Sequence, residues 1–463
     1  MNTRWFYLPL AWALSGCPLT MAQDGQTPEL DLLREEIRSM RVEYEARIAE
    51  LETRLEAAEQ AAAAKPSAQG APATAAEPMP GYEEPAMMSP QTVSVARDSS
   101  FNPAIGVTFQ GQAWAFDNDP GDYAIPGFPL GGEAGPAPEG LSLAETEISM
   151  SANVDDKFTA LLTAPIVVEE GEVKFELEEA WVETVGLPAS LAVRMGRFYS
   201  AIGYQNSRHF HAWDFADQPL VYQAFLGNQY LDDGLQVRWL APTDFYLEFS
   251  AELLRGDRYP AGGAANSGFG AQSLSAKTGG DIGFSNSWLL GLSWLGADAD
   301  GRASGSEDDP LYFTGDSDLL IADFVWKWAP NGNSRQRNLI LQAEFLWRNE
   351  NGEYSLPDGA TGPWDVDQRG WYVQAVYQPF PRWRFGARYD QLSSDEPGSW
   401  WLDTPLYPMD SDPRRYSLMV DWSNSEFSRL RLQYNYDSAG EDADNQFGLQ
   451  YIFSIGAHGA HSF

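Results

Sequence analysis

Among its 463 residues the chain has one cysteine, four histidines and 30 basic side chains against 66 acidic ones. Each shortage excludes something. A lone cysteine, Cys17, rules out an internal disulfide framework and a cysteine-built metal centre. A net charge of −36 has the wrong sign for a nucleic-acid partner, which selects basic patches. No apolar run reaches the roughly 18 residues that a membrane helix requires. What is abundant is aromatic: 17 Trp, 20 Tyr and 24 Phe, or 13% of the chain. Disordered acidic proteins are poor in aromatics. Two classes remain, a large soluble all-β protein and a transmembrane β-barrel, whose alternating strands escape hydropathy averages.

Residues 1–22 read as a secretory signal peptide. Arg4 precedes an apolar segment from Trp5 to Leu14, and Thr20-Met21-Ala22 supplies small residues for cleavage before Gln23. Leu14-Ser15-Gly16-Cys17 also fits a lipoprotein box that would lipidate Cys17, and both readings export the chain. Residues 29–62 then carry a heptad seam of Leu30, Leu33, Ile37, Met40, Tyr44, Ile48, Leu51, Leu55 and Ala58. The four-residue step at Tyr44–Ile48 is a stutter, and nothing in the chain is patterned to bury the seam, so a self-associating coiled coil is expected. An Ala/Pro-rich linker over 63–100 follows.

Over 101–463 the period changes to two. Leu430, Leu432, Tyr434 and Tyr436 alternate with Arg429, Arg431, Gln433 and Asn435; Trp383, Phe385, Ala387 and Tyr389 alternate with Arg384, Gly386, Arg388 and Asp390. A soluble sandwich has the same period, but aromatics at strand ends fit the interfacial girdles of an all-β transmembrane antiparallel barrel. About sixteen strands can be placed, with fourteen and eighteen as alternatives. Short turns largely alternate with long connections at 117–140, 201–233, 256–272, 297–318, 349–368 and 391–413, as expected for two unlike barrel rims. Asp298, Asp300, Glu307, Asp308, Asp309, Asp316 and Asp318 are expected on acidic outer loops.

At this point the sequence resembles the bacterial porin superfamily, in the branch of the phosphate-selective porins, where signal peptide, coiled-coil stalk, linker and barrel occur together. The stretches SFNPAIGVTFQG, LEEAWVETVGLPA, GRFYSAIGYQN and HFHAWDFADQPLVYQAFLGNQYLDDGLQVRWLAPTD are similar to a proteobacterial group whose members are sometimes labelled zinc-regulated outer-membrane receptors or porins. Phe447, Leu449, Tyr451, Phe453 and Ile455 alternate towards a terminal Phe463, resembling the signal read by the barrel-assembly machinery. The resemblance implies the outer membrane of a Gram-negative bacterium, contact with lipid and lipopolysaccharide, a homotrimer, and a path for anions.

Two features of the barrel region could carry function. If the aromatic face meets lipid, then Arg384, Arg388, Arg415, Arg429, Arg431 and Arg238 line the pore opposite Glu145, Glu147 and Glu176 or Glu178. Such a ladder gives a transverse field that steers anions, or a set of wall charges that pair with one another. Connection 201–233 is the third on its rim, the position where porins fold a loop into the pore. Its His209 and His211 share a face of an extended chain, and with Asp214 they could ligate a metal such as zinc; the alternative is an aromatic-packed constriction. His458 and His461 form a second pair, which would need a turn at Gly456 or Gly459 to converge. No GxSxG, HExxH or P-loop is present, so no enzyme is expected. The expected function is a passive porin for small charged solutes, anions or a divalent metal. The alternative is an envelope tether whose stalk contacts peptidoglycan.

Overall fold

The computed structural model describes residues 103–169, 172–262, 268–306 and 308–456. The expected signal peptide, coiled coil and linker, and His458, His461 and Phe463, lie outside the described residues. The strands are β1 (Ala104–Ala115), β2 (Gly140–Leu143 and Thr146–Asn153), β3 (Phe158–Glu169), β4 (Glu172–Phe175 and Glu179–Thr184), β5 (Leu191–Tyr199), β6 (Leu231–Leu240), β7 (Tyr246–Leu254), β8 (Ala271–Ile282), β9 (Asn286–Gly305), β10 (Pro310–Trp328), β11 (Asn338–Ser355), β12 (Thr361–Phe380), β13 (Trp383–Ser394), β14 (Arg414–Ser425), β15 (Ser428–Asp437) and β16 (Asp444–Gly456). Each pairs antiparallel with its neighbours in sequence. β1 also pairs with β16, placing Val107 opposite Ile455 and Ala113 opposite Leu449, so sixteen strands close into one barrel.

Two strands are interrupted. Between the β1 positions that face Leu143 and Glu147, β2 carries one residue more than β1. β4 likewise carries one more than β3 between Phe175 and Glu179. Both are bulges: the one in β2 faces β1, and the one in β4 faces β3 beside Pro165, whose carbonyl accepts from the Glu176 N–H. Proline has no N–H to give a ladder, so a bulge beside it avoids an orphaned acceptor.

The polarity of the barrel is inside out relative to a soluble protein. On β16, Phe447, Leu449, Tyr451, Phe453 and Ile455 are exposed, while Gln446 and Gln450 are buried. On β14 and β15, Leu418, Leu432 and Tyr436 point outward, and Arg415, Ser417, Asp421 and Arg431 are buried. A continuous exposed apolar belt over a buried polar interior is stable only against hydrocarbon. We expect Leu418→Arg, on the outward face of β14, to cost about 2–4 kcal/mol in lipid. The urea midpoint of the folded, heat-modifiable band reads this directly; an unchanged midpoint would show that this face does not meet lipid.

The expected long loops at 297–318 and 349–368 are a correction. Both spans are strand: β9 runs to Gly305, β10 begins at Pro310, β11 runs to Ser355 and β12 begins at Thr361. The outward face of these hairpins changes from Leu and Trp to Asp298, Asp300, Asp316 and Asp318, so these acids sit on strands, not loops. The inward face gains an apolar cluster, with Leu311, Phe313, Tyr354, Trp364 and Val366 packed against Trp401 and Leu406 beside the buried Arg302–Glu350 pair. The hairpins therefore rise past the hydrocarbon as a wall that is wet outside and greasy inside. Of the acids expected on outer loops, Asp308 and Asp309 lie in the short turn between β9 and β10, and Glu307 lies outside the described residues.

Candidate functional site: the lumen constriction

The chain between β5 and β6 folds into the barrel. Its one α-helix, α1 (Leu220–Leu226), is buried along its whole length. Leu220, Val221, Phe225 and Leu226 pack with Leu346, Tyr372 and Leu392 of the wall and with Phe128 of the β1–β2 connection. The entry turn requires Gly203, whose φ is +60°; a Cβ there would lie 2.5 Å from the Tyr222 hydroxyl and 2.6 Å from Glu344. Glu344 on β11 anchors that turn by accepting from the backbone N–H groups of Tyr204 (3.0 Å) and Gln205 (2.9 Å) and from the Tyr222 hydroxyl (2.8 Å).

Five of the six arginines of the proposed ladder, Arg384, Arg388, Arg415, Arg429 and Arg431, bond to this loop or to the wall aspartates around it. Arg384 donates to Asp214 at 2.8 Å and also bonds Asp421. Arg388 donates to Asp217 (2.8 Å) and Asp390 (2.9 Å). Arg415 donates to Asp217 (3.1 Å) and Asp437 (2.6 Å). Arg431 donates to Asp421 at 2.8 Å and to the Trp213 carbonyl at 2.7 Å, and Arg429 to the His211 carbonyl at 2.6 Å. Arg238 lies apart from the loop and meets Glu183 at 2.6 Å. The expected anion-steering ladder is thus a clamp that neutralises itself while tying the loop to β13–β15. Burial alone would raise the carboxyl pKa values of Asp214 and Asp217, but the adjoining guanidiniums outweigh it and hold both below the usual aspartate range.

Between the loop and the opposite wall lies a cavity of about 740 Å³. Its basic side chains are Arg258 and the already paired Arg415; its carboxylates are Glu133, Glu145, Glu176, Glu178 and Asp217. The two bulges aim this wall. Glu145 lies in the break of β2, and Glu176 and Glu178 lie in the break of β4, where the extra residue lets the consecutive Glu178 and Glu179 both be buried. Glu145 Oε1 has no hydrogen-bond partner.

The histidines sit at the edge of this wall. A 3₁₀ turn at Phe210–Ala212 is capped by His209 and includes His211, so the chain here is not extended, yet the two rings stack with centroids 5.6 Å apart. His209 Nδ1 is 3.4 Å from Glu147 and 3.4 Å from Glu178, and His209 Nε2 is 3.0 Å from Glu179. His211 Nδ1 is 2.9 Å from Glu147. Burial opposes the charged His209 ring, but Glu147 and Glu178 outweigh it and raise its pKa well above the ordinary histidine value. Asp214 does not join this group, which corrects the expected ligand set. The turn carries it to the other side of the loop, where Arg384 takes it. Glu178, Glu179 and Tyr199 take its place. The available signal was Pro165 in the middle of a strand, which marks a bulge where the Glu-rich stretch 176–179 can turn inward.

No family model matches the chain. Among solved structures it is similar to the DcaP outer-membrane channel of Acinetobacter baumannii (12% identity, 76% of this chain and 97% of that one, TM-score 0.49). It is also similar to an anion-selective porin from Comamonas acidovorans (9% identity, 76% and 99%, TM-score 0.45). A third is the trimer form of the outer-membrane protein OmpT of Vibrio cholerae (10% identity, 76% and 99%, TM-score 0.46). Over 348 residues it is 32% identical to a protein of Aquifex aeolicus described as uncharacterized, covering 70% of each chain. With that identity over that length, the chain belongs to the same family as the Aquifex aeolicus protein.

Proposed function

We propose that the chain is a passive diffusion porin of a Gram-negative outer membrane, and that its constriction favours cations. The observation that carries this reading is the distribution of charge at the narrowing. Arg384, Arg388, Arg415 and Arg431 are consumed by aspartates of the loop and wall, whereas outside that clamp the cavity lining holds Glu133, Glu145, Glu176 and Glu178 against Arg258. A low-dielectric passage lined by one sign of charge concentrates the opposite ion. This reverses the anion path that the porin resemblance implied. The apolar belt supports insertion in lipid through the barrel-assembly machinery, with lipopolysaccharide at the outer rim and the coiled coil in the periplasm. A homotrimer completes the reading.

Planar-bilayer recording tests it. Purified full-length protein is expected to insert with stepwise conductance, in triplets if the trimer holds, and to give a cation-preferring reversal potential in a KCl gradient. An anion-preferring potential would return function to the arginines. A barrel that never conducts would favour the tether.

A further inference from the structure

We propose that Glu147, Glu178 and His209 form a binding site for one divalent transition-metal ion, with zinc the best match. The site rests on the pore reading only for the route by which an ion reaches it. Its support is geometric. Two ligands about 2.1 Å from a zinc at the tetrahedral angle stand about 3.4 Å apart. His209 Nδ1 lies 3.4 Å from a carboxylate oxygen of Glu147 and 3.4 Å from one of Glu178. The three ligand atoms all fall within 4.8 Å of one another, and all three residues are buried. His211 Nδ1 lies 2.9 Å from the same Glu147 oxygen and so braces one ligand without joining the three that converge.

Two of the three ligands are also oriented from behind. Glu179 meets His209 Nε2 at 3.0 Å, and Trp181 Nε1 in turn donates to Glu179 at 3.0 Å. This is the carboxylate–histidine arrangement that fixes a ring so that its other nitrogen faces a metal. Tyr199 donates its hydroxyl to Glu178 Oε1, which leaves Glu178 Oε2, the oxygen facing His209, without a hydrogen bond. Imidazole nitrogen with carboxylate oxygen is a donor set suited to zinc, and less to calcium or magnesium, which take oxygen alone. The ligands come from β2, the break in β4 and the inward loop, so an ion here would pin the loop to the wall opposite the arginine clamp.

The test uses full-length protein folded in detergent and stripped with a chelator. Zinc chloride titration by calorimetry, with metal counting after dialysis, is expected to give one zinc per chain. Cobalt(II) in its place should give the visible absorption of a tetrahedral site. His209→Ala and Glu178→Gln should lose the ion, and Glu179→Gln should weaken it about 10–100-fold, as removal of an orienting partner does. His458→Ala/His461→Ala should bind as wild type. Heat-modifiable migration confirms that each variant is folded. The proposal is overturned if wild type conducts but takes up no zinc, or if folded His209→Ala retains it. Wild type that binds zinc through His209 without conducting would support the site and sink only the pore.

Discussion

Excising residues 207–228 and joining Asn206 to Gln229 through two glycines should raise single-channel conductance on the order of threefold while leaving the barrel folded. The join is nearly closed already. Asn206 donates to the Tyr230 carbonyl at 2.8 Å, and Gln229 donates to the Asn206 carbonyl at 2.6 Å. The cut removes α1 and the Asp214 and Asp217 carboxylates but no strand. Arg384, Arg388 and Arg415 would each keep a wall aspartate and lose the loop one. The excised channel should therefore also lose most of its preference for cations. Bilayer recording of both forms reads the two effects together. Equal conductance before and after excision would mean that the narrowing lies elsewhere.

The second large effect concerns the opposite wall. Glu145→Gln/Glu176→Gln removes two carboxylates from the cavity lining and leaves the arginine clamp and the proposed metal ligands in place. Fields from closely spaced like charges in a narrow passage change local ion concentration by factors of 10 or more. The cation-to-anion permeability ratio should fall by about tenfold, with conductance in symmetric molar salt changing little, because high salt screens the wall. A ratio that survives the double substitution would place the filter outside this cavity.

How much of this was legible in the sequence depends on what each residue reports. β13 to β16 were readable because their outward Trp, Tyr, Leu and Phe alternate cleanly with inward Arg, Gln and Asn. The upper halves of β9 to β12 were not, although their period is also two. Beyond the belt the phase inverts: Asp298, Asp316 and Asp318 point outward while Leu311, Phe313 and Trp364 point inward. A pattern that keeps its period and swaps its phase looks like irregular loop when averaged. The inward arginines were identifiable for the same reason that their strands were. Their pairing was not, because Asp217 meets Arg415 across 198 positions of chain. His209 and His211 stood out by rarity, but a two-residue spacing says nothing about which wall they meet. That depended on the β4 bulge beside Pro165, a backbone event that strand alternation cannot encode.

The seam between β1 and β16 sets the order in which such a chain can assemble. Every other neighbouring pair is joined locally, whereas at the seam Thr108 meets Ser454, 346 positions away. Closing a loop of that length costs about 2 kcal/mol more in chain entropy than closing a hairpin of roughly 20 residues. Hairpins should therefore zip first and the seam last. Until it forms, β1 and β16 are open edges carrying exposed apolar side chains, templates for joining the wrong chain. The slow step of assembly is then the meeting of the two ends of the sheet. A nascent barrel needs shielding for that interval above all.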